Sequence, residues 1–135
     1  MSDSGSIEPV AVDTSAVIAV LKGERDRDRI VEQLRAAESR LISAATAVEL
    51  GIVVESLTDG RTPLERVLAD FDLTVVPLDE SQLRIAMEGW RRFGKGRNPA
   101  GLNYGDCFSY ALARSREIPL VYVGDDFTKA GFTTP

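Results

Sequence analysis

Val10-Ala11-Val12-Asp13-Thr14-Ser15-Ala16-Val17-Ile18 sets a carboxylate between two runs of different character. The apolar residues before Asp13 read as a short buried strand, and those after it open a helix near 15–22 that stops at Gly23. A second handover of this kind stands near the other end of the chain, where Leu120-Val121-Tyr122-Val123 runs into Gly124-Asp125-Asp126. In open α/β sheets ligands bind outside the carboxyl ends of the strands. Parallel strands put those ends on one edge, so acids far apart in sequence are expected to meet there. The site they build is negative and oxygen-only, which suits a hard divalent cation.

Between these two corners the periodicity alternates. A charged amphipathic helix is predicted over 25–37 with Ile30, Val31 and Leu34 inward. A short strand at Leu41-Ile42 then leads into a helix from about Ala44 to Thr58, closed by Asp59-Gly60. Thr62-Pro63-Leu64-Glu65 reads as an N-cap, a proline at the first helical position and a capping-box acid for a helix to about Phe71. Leu73 to Val76 is a strand. Asp79 caps a long helix whose Leu83, Ala86, Met87, Trp90 and Phe93 recur at helical spacing. A loop rich in Gly, Pro and Asn runs from Gly94 to Gly105, followed by a helix from Asp106 to about Arg116 and the strand at 120–123. Such alternation implies an α/β fold with a central parallel sheet flanked by helices. The expected organisation is a flexible polar leader at 1–8 and one domain over 9–135.

Composition narrows the chemistry. The chain has 135 residues, 44% hydrophobic and 27% charged, which fits one soluble domain with a real core. Its single cysteine, Cys107, rules out an intramolecular disulfide and thiolate zinc sites, and fits a cytoplasmic location. No apolar run approaches the ~20 residues of a membrane span, so no membrane association is expected. Met1 to Glu8 lacks the basic and apolar regions of a signal peptide. There is no histidine, which excludes a Ser-His-Asp triad, His-paired ribonuclease chemistry and any histidine metal site. Catalysis here must run on carboxylates, hydroxyls, Lys/Arg or a metal.

The acids have bland readings beside the functional one. Asp13 and Asp106 both stand at helix starts, where aspartate caps, and Asp125 and Asp126 suit a turn. Glu49 is harder to dismiss, because its helix neighbours at three and four residues are Ala45, Thr46, Ile52 and Val53. A carboxylate in such a stripe costs several kcal/mol unless it is paired or faces water. Two carboxylates about 4 Å apart repel by roughly 4 kcal/mol at an effective dielectric near 20, and a divalent cation removes that penalty. A bound cation also lowers the pKa of water and so makes a nucleophile without histidine.

Net charge is −5, yet Arg91, Arg92, Lys95 and Arg97 fall in a stretch from Gly89 to Gly105 that holds no acid. They are interleaved with Trp90, Phe93 and Tyr104, a mixture suited to a phosphate backbone and unstacked bases. The rival reading is a solvated helix end whose arginines meet only the helix dipole. Because the loop leads into Asp106, it is expected to hang over the acidic site.

These motifs resemble the PIN-domain ribonucleases, and most closely the VapC toxins of bacterial toxin–antitoxin pairs. The matches are Val12-Asp13-Thr14-Ser15-Ala16, Ala47-Val48-Glu49-Leu50, the run from Phe93 to Cys107 that contains Asn98-Pro99-Ala100-Gly101-Leu102-Asn103-Tyr104-Gly105-Asp106, and Gly124-Asp125-Asp126-Phe127. The resemblance implies a single PIN domain, an α/β/α sandwich, that cleaves RNA with Mg²⁺ or Mn²⁺. It assigns Asp13, Glu49, Asp106 and Asp126 to catalysis, with Asp126 preferred to Asp125 because it directly precedes the phenylalanine. Asp13 and Asp106 would hold the metal directly, with Ser15 and Asp125 supporting from behind. It further implies a homodimer neutralised by a cognate VapB-type antitoxin.

The expected function is therefore a metal-dependent endoribonuclease toxin that inhibits translation by cutting tRNA or another structured RNA. Two rivals stand beside it. A catalytically silent PIN scaffold would bind RNA or a partner without turnover. A phosphoacceptor receiver domain would want paired acids after the first strand and an aspartate after a middle one, where this chain has a single Asp13 and Val76-Pro77-Leu78.

Overall fold

The computed structural model describes residues 8–132 and 135. The leader predicted over 1–8 lies outside the described residues except for Glu8, whose carbonyl accepts from the Glu38 N–H at 3.0 Å. Eleven elements follow: β1 (Val10–Val12), α1 (Thr14–Leu21), α2 (Arg27–Ala36), β2 (Arg40–Ser43), α3 (Ala44–Leu57), α4 (Leu64–Asp70), β3 (Leu73–Val76), α5 (Glu80–Phe93), α6 (Tyr104–Arg116), β4 (Leu120–Val121) and α7 (Asp126–Lys129).

All strand pairings are parallel and the order is β3-β2-β1-β4. Ala11 sits opposite both Leu41 and Leu120, so β1 is central and the chain winds outward from it in two directions. That reversal makes the gap beside β1 and β4 the topological switch point, the place where α/β sheets bind ligands.

Strand alternation sorts the core into two layers. Val10, Val12, Ile42, Leu73 and Val121 pack with Ile30, Leu50 and Val54 on one side. Ala11, Leu41, Val76 and Leu120 pack with Leu102, Tyr110 and Leu112 on the other. The period of two makes these assignments mutually exclusive, so a slip of one residue would send each side chain into the opposite layer and undo the packing of both. Truncating a side chain as buried as Ile42 would cost about 2–5 kcal/mol. Among the described residues no helix is long and apolar enough to cross a membrane.

The structure corrects several local expectations. Pro63, not Thr62, is the N-cap of α4, and no side chain caps it. Its Leu64 N–H is instead satisfied by Glu55 at 3.0 Å, and Thr62 donates its own N–H to the Thr58 hydroxyl. The helix expected from Asp106 begins at Tyr104, capped by Asn103. Only Leu120–Val121 of the predicted 120–123 run is strand, and the turn after it tightens into α7.

On α5 the residues that recur at helical spacing do not all face inward. Leu83, Met87 and Trp90 are 52%, 39% and 37% exposed. The buried positions are Gln82, Ala86 and Gly89. A Cβ at Gly89 would come within 2.6 Å of the Tyr110 ring, so α5 docks on α6 through its small residues and leaves the large ones outside. The loop after α5 is pinched shut, with Leu102 donating to the Phe93 carbonyl and accepting from the Lys95 N–H. Its Ala100 and Leu102 are buried.

Candidate active site

Asp13 stands where β1 becomes α1, with extended backbone that turns its carboxylate onto the helix start. The capping reading and the site reading both hold: Oδ2 accepts from the Ser15 N–H at 3.1 Å and the Ser15 hydroxyl at 2.7 Å. Oδ1 accepts from the Ser109 hydroxyl of α6 at 2.6 Å. Only 4% of Asp13 is exposed, so these donors take the place of water around a buried charge. Ser15 in turn accepts from the Val123 N–H at 3.0 Å, which ties the β1–α1 corner to the segment after β4.

Glu49 rides on α3, itself capped by Ser43 at the end of β2. Its Oε1 accepts from the Thr14 hydroxyl at 2.7 Å, one residue beyond Asp13. Its carboxylate lies against Gly105, where any Cβ would collide with it. Glycine at 105 therefore makes the room that lets α3 present Glu49 beside Asp106. The stripe around Glu49 is core only at Thr46. Val48 and Ile52 are exposed, and with Tyr104 and Phe108 they line an apolar recess of about 440 Å³ that has Glu49 in its wall.

Asp106 is the third position of α6 and forms a reciprocal capping box. Asn103 accepts from its N–H at 2.9 Å, while its own Oδ2 accepts from the Asn103 N–H at 3.0 Å. Burial pushes the Asp106 carboxyl up to about 6, against the pull of the Asn103 N–H, and the charges of Asp13, Asp126 and Glu49 push the same way. The four predicted acids thus converge electrostatically on one position. Asp126 opens α7 close enough for its charge to act on Asp106, whereas Asp125 pairs with Lys129 at 3.4 Å.

No group of three or more metal-ligating side chains is packed tightly enough among the described residues to cage an ion alone. The donor set still fits Mg²⁺ or Mn²⁺, because such ions take one or two carboxylates and keep their remaining positions for water and substrate phosphate. Asp13 Oδ2 is fully engaged, but Oδ1 keeps acceptor capacity, as does Asp106 Oδ1.

Of the predicted basic residues, Arg92 and Arg97 pack against aromatic rings of their own segment. Arg97 lies over the Trp90 ring at 4.6 Å and donates to the Arg91 carbonyl, while Arg92 lies over Phe93 at 5.0 Å. Among the described residues, none of Arg91, Arg92, Lys95 and Arg97 forms an ion pair. No hydrogen bond links them to the four acids. Sequence reading missed Thr14, Ser109 and Gly105. Ser109 stands three residues after Asp106, on the same helix face, inside an otherwise apolar run, which is the one signal that pointed to it.

A PIN domain profile matches residues 10–133. VapC ribonuclease Mb0625 of Mycobacterium bovis is 42% identical over 123 residues, which cover 89% of this chain and 92% of that protein. Ribonuclease VapC30 of Mycobacterium tuberculosis is 37% identical over 127 residues, covering 93% and 97%. Among solved structures, Mycobacterium tuberculosis VapC20, described as a sarcin-ricin loop cleaving toxin, superposes with a TM-score of 0.75 at 17% identity over 93% of this chain and 98% of that one. A toxin–antitoxin complex from Klebsiella pneumoniae gives 0.62 at 14% identity, covering 82% of each chain. With its acids gathered at the switch point of a parallel sheet and relatives of this closeness along nearly its whole length, the chain belongs to the PIN domain family, among the VapC ribonucleases.

Proposed function

We propose that the chain is a divalent-metal-dependent endoribonuclease, the toxin of a toxin–antitoxin pair, that cuts tRNA or another structured RNA. The observation that carries this reading is that Asp13 bonds Ser109 of α6 and Glu49 lies against Gly105, which brings both carboxylates to the start of α6 where Asp106 stands. Asp13 and Asp106 would hold Mg²⁺ or Mn²⁺, and Glu49 and Asp126 would complete the shell through water. The metal supplies Lewis acidity toward a phosphate oxygen and a lowered pKa for water.

The residues of the chain do the rest. Ser15 and Ser109 fix both oxygens of Asp13 before substrate arrives, so little reorganisation remains for the reaction. Thr14 orients Glu49 toward the water that attacks, and Asp125 supports α7 through Lys129. Arg91, Arg92, Lys95 and Arg97 would contact RNA phosphates from the neighbouring surface. For protein partners, a second copy and a VapB-type antitoxin, the support is the exposed apolar surface of Val48, Ile52, Leu83, Met87, Trp90 and Tyr104. Contiguous apolar surface of this kind marks interaction sites.

Mapping RNA 5′ ends after induced expression of the wild type and of Asp106→Asn tests the proposal. Ends that appear at discrete positions with the wild type alone are expected. Identical profiles from both would refute it.

A further inference from the structure

Down α6 from Asp106, a recess of about 470 Å³ opens between α5, α6 and α7, lined by Glu88, Arg92, Phe93, Tyr110, Arg114 and Lys129. We propose that it is a phosphate subsite that grips the RNA backbone next to the bond being cut. The inference rests on the ribonuclease reading and adds to it Arg114, Lys129 and Tyr110, none of which the acids require.

Charge is the first argument. Three cations face one acid. Lys129 is engaged with Asp125, whereas Arg92 and Arg114 have no ion-pair partner among the described residues. Geometry is the second. The Arg114 guanidinium lies 4.5 Å over Phe132 and 5.3 Å over Tyr110, and Arg92 lies 5.0 Å over Phe93. Stacking occupies the faces of a guanidinium and leaves its N–H edge in a fixed plane, the form in which arginine reads phosphate bidentately.

The third argument is an orphan. Tyr110 is wholly buried, yet its hydroxyl has no hydrogen-bond partner among the described residues. Buried hydroxyls are rarely left so, and an anionic ligand supplies the missing acceptor. Placement is the fourth. Asp106, Tyr110 and Arg114 recur every four residues along one face of α6, which sets Arg114 about 12 Å down the helix from Asp106. Lys129 shares its single turn of helix with Asp126. A strand whose scissile phosphate sits at the acids would carry its following phosphates over this recess.

The test uses the full chain in the cleavage-dead Asp13→Asn background and a labelled RNA stem-loop with single-stranded flanks, titrated at several KCl concentrations. Joint Arg114→Gln and Lys129→Gln substitution is expected to flatten the salt slope by about 1.4, at roughly 0.7 per phosphate contact on a single strand. Arg25→Gln, on the remote loop before α2, should leave it unchanged. Arg114→Lys should keep the slope and lose affinity, and Tyr110→Phe should weaken binding several-fold with the slope intact. Should Arg114→Gln fold poorly by thermal melting, Lys129→Gln alone carries the slope test with an expected loss of about 0.7. An unchanged slope in a parent that binds RNA overturns the subsite and leaves the ribonuclease reading standing. A parent that does not bind RNA overturns both. Tight binding of a free mononucleotide by the parent, lost in the double variant while RNA affinity holds, would assign the recess to a soluble phosphate and overturn the proposal.

Discussion

The β1–α1 corner and the start of α6 carry the same residue type to the same edge of the sheet and treat it in opposite ways. Asp13 is buried under three donors, two hydroxyls and one backbone N–H, so its charge is met by dipoles before any cation arrives. Asp106 has a single backbone donor and three carboxylates for neighbours, and its carboxyl is pushed up to about 6 by burial and by those charges. One aspartate is part of the fold; the other sits where the fold alone does not neutralise it. The difference teaches that the acids of this cluster are not equivalent, although from the sequence alone asparagine at either position is expected to relieve repulsion alike.

The largest contrast lies in removing each carboxylate. Asp13→Asn and Asp106→Asn should both lower RNA cleavage by orders of magnitude, but they should part in thermal melting. At Asp13 an amide puts N–H groups against a donor hydroxyl, leaving a buried group unpaired at a cost of about 1–3 kcal/mol. At Asp106 asparagine still accepts from Asn103 and removes a disfavoured charge. The sign follows from linkage. A carboxyl raised from 3.8 to about 6 in the folded state destabilises the metal-free protein above pH 6 and ceases to do so as pH falls through 6 toward 4. Asp106→Asn should therefore raise the melting temperature in EDTA at pH 7.5 and lose that gain at pH 4. A gain that persists at pH 4, or a melting temperature lowered equally by both variants, would erase the contrast.

A second, smaller effect sharpens how α6 and α3 meet. Alanine at Gly105 adds helix propensity of about 0.5–1 kcal/mol and displaces only the flexible end of Glu49. Gly105→Ala should keep or slightly raise stability while cleavage falls about tenfold. Melting and single-turnover cleavage on the same preparation separate these. The smallest effect concerns the turn after β4. Asp126→Asn should impair cleavage far more than Asp125→Asn, whose exposed pair with Lys129 is worth ~0.2–1 kcal/mol at most. Equal losses would move the fourth acid to Asp125.

How far these regions were legible in the sequence follows from the range of the interactions. Asp13 shows itself because the local period changes at it, and the parallel sheet follows from alternation of strand and helix signals. Asp106 is visible as an acid at a helix start, but its capping partner Asn103 outcompetes it for the cap position. Ser109 bonds Asp13 across 96 residues and Thr14 bonds Glu49 across 35, and no local pattern encodes such a pair. On α5 the helical spacing of Leu83, Met87 and Trp90 marks a stripe that faces outward. Close approach of α6 at Gly89 gives the inward face to small residues, and periodicity cannot report which stripe faces in. The cations of the long loop were legible as a cluster, while their folding back over Trp90 and Phe93 depends on the pinch at Leu102.

The central claim is that the four acids form one divalent-cation site that drives RNA cleavage. Its most direct test is a Mn²⁺ titration of the EDTA-stripped protein at pH 7.5, with melting temperature and cleavage of a labelled RNA followed in the same samples. The account predicts no cleavage before Mn²⁺, then a parallel rise of melting temperature and cleavage rate in the wild type, and neither rise in Asp106→Asn. Cleavage at full rate in EDTA, or an Asp106→Asn protein that responds to Mn²⁺ as the wild type does, would contradict it.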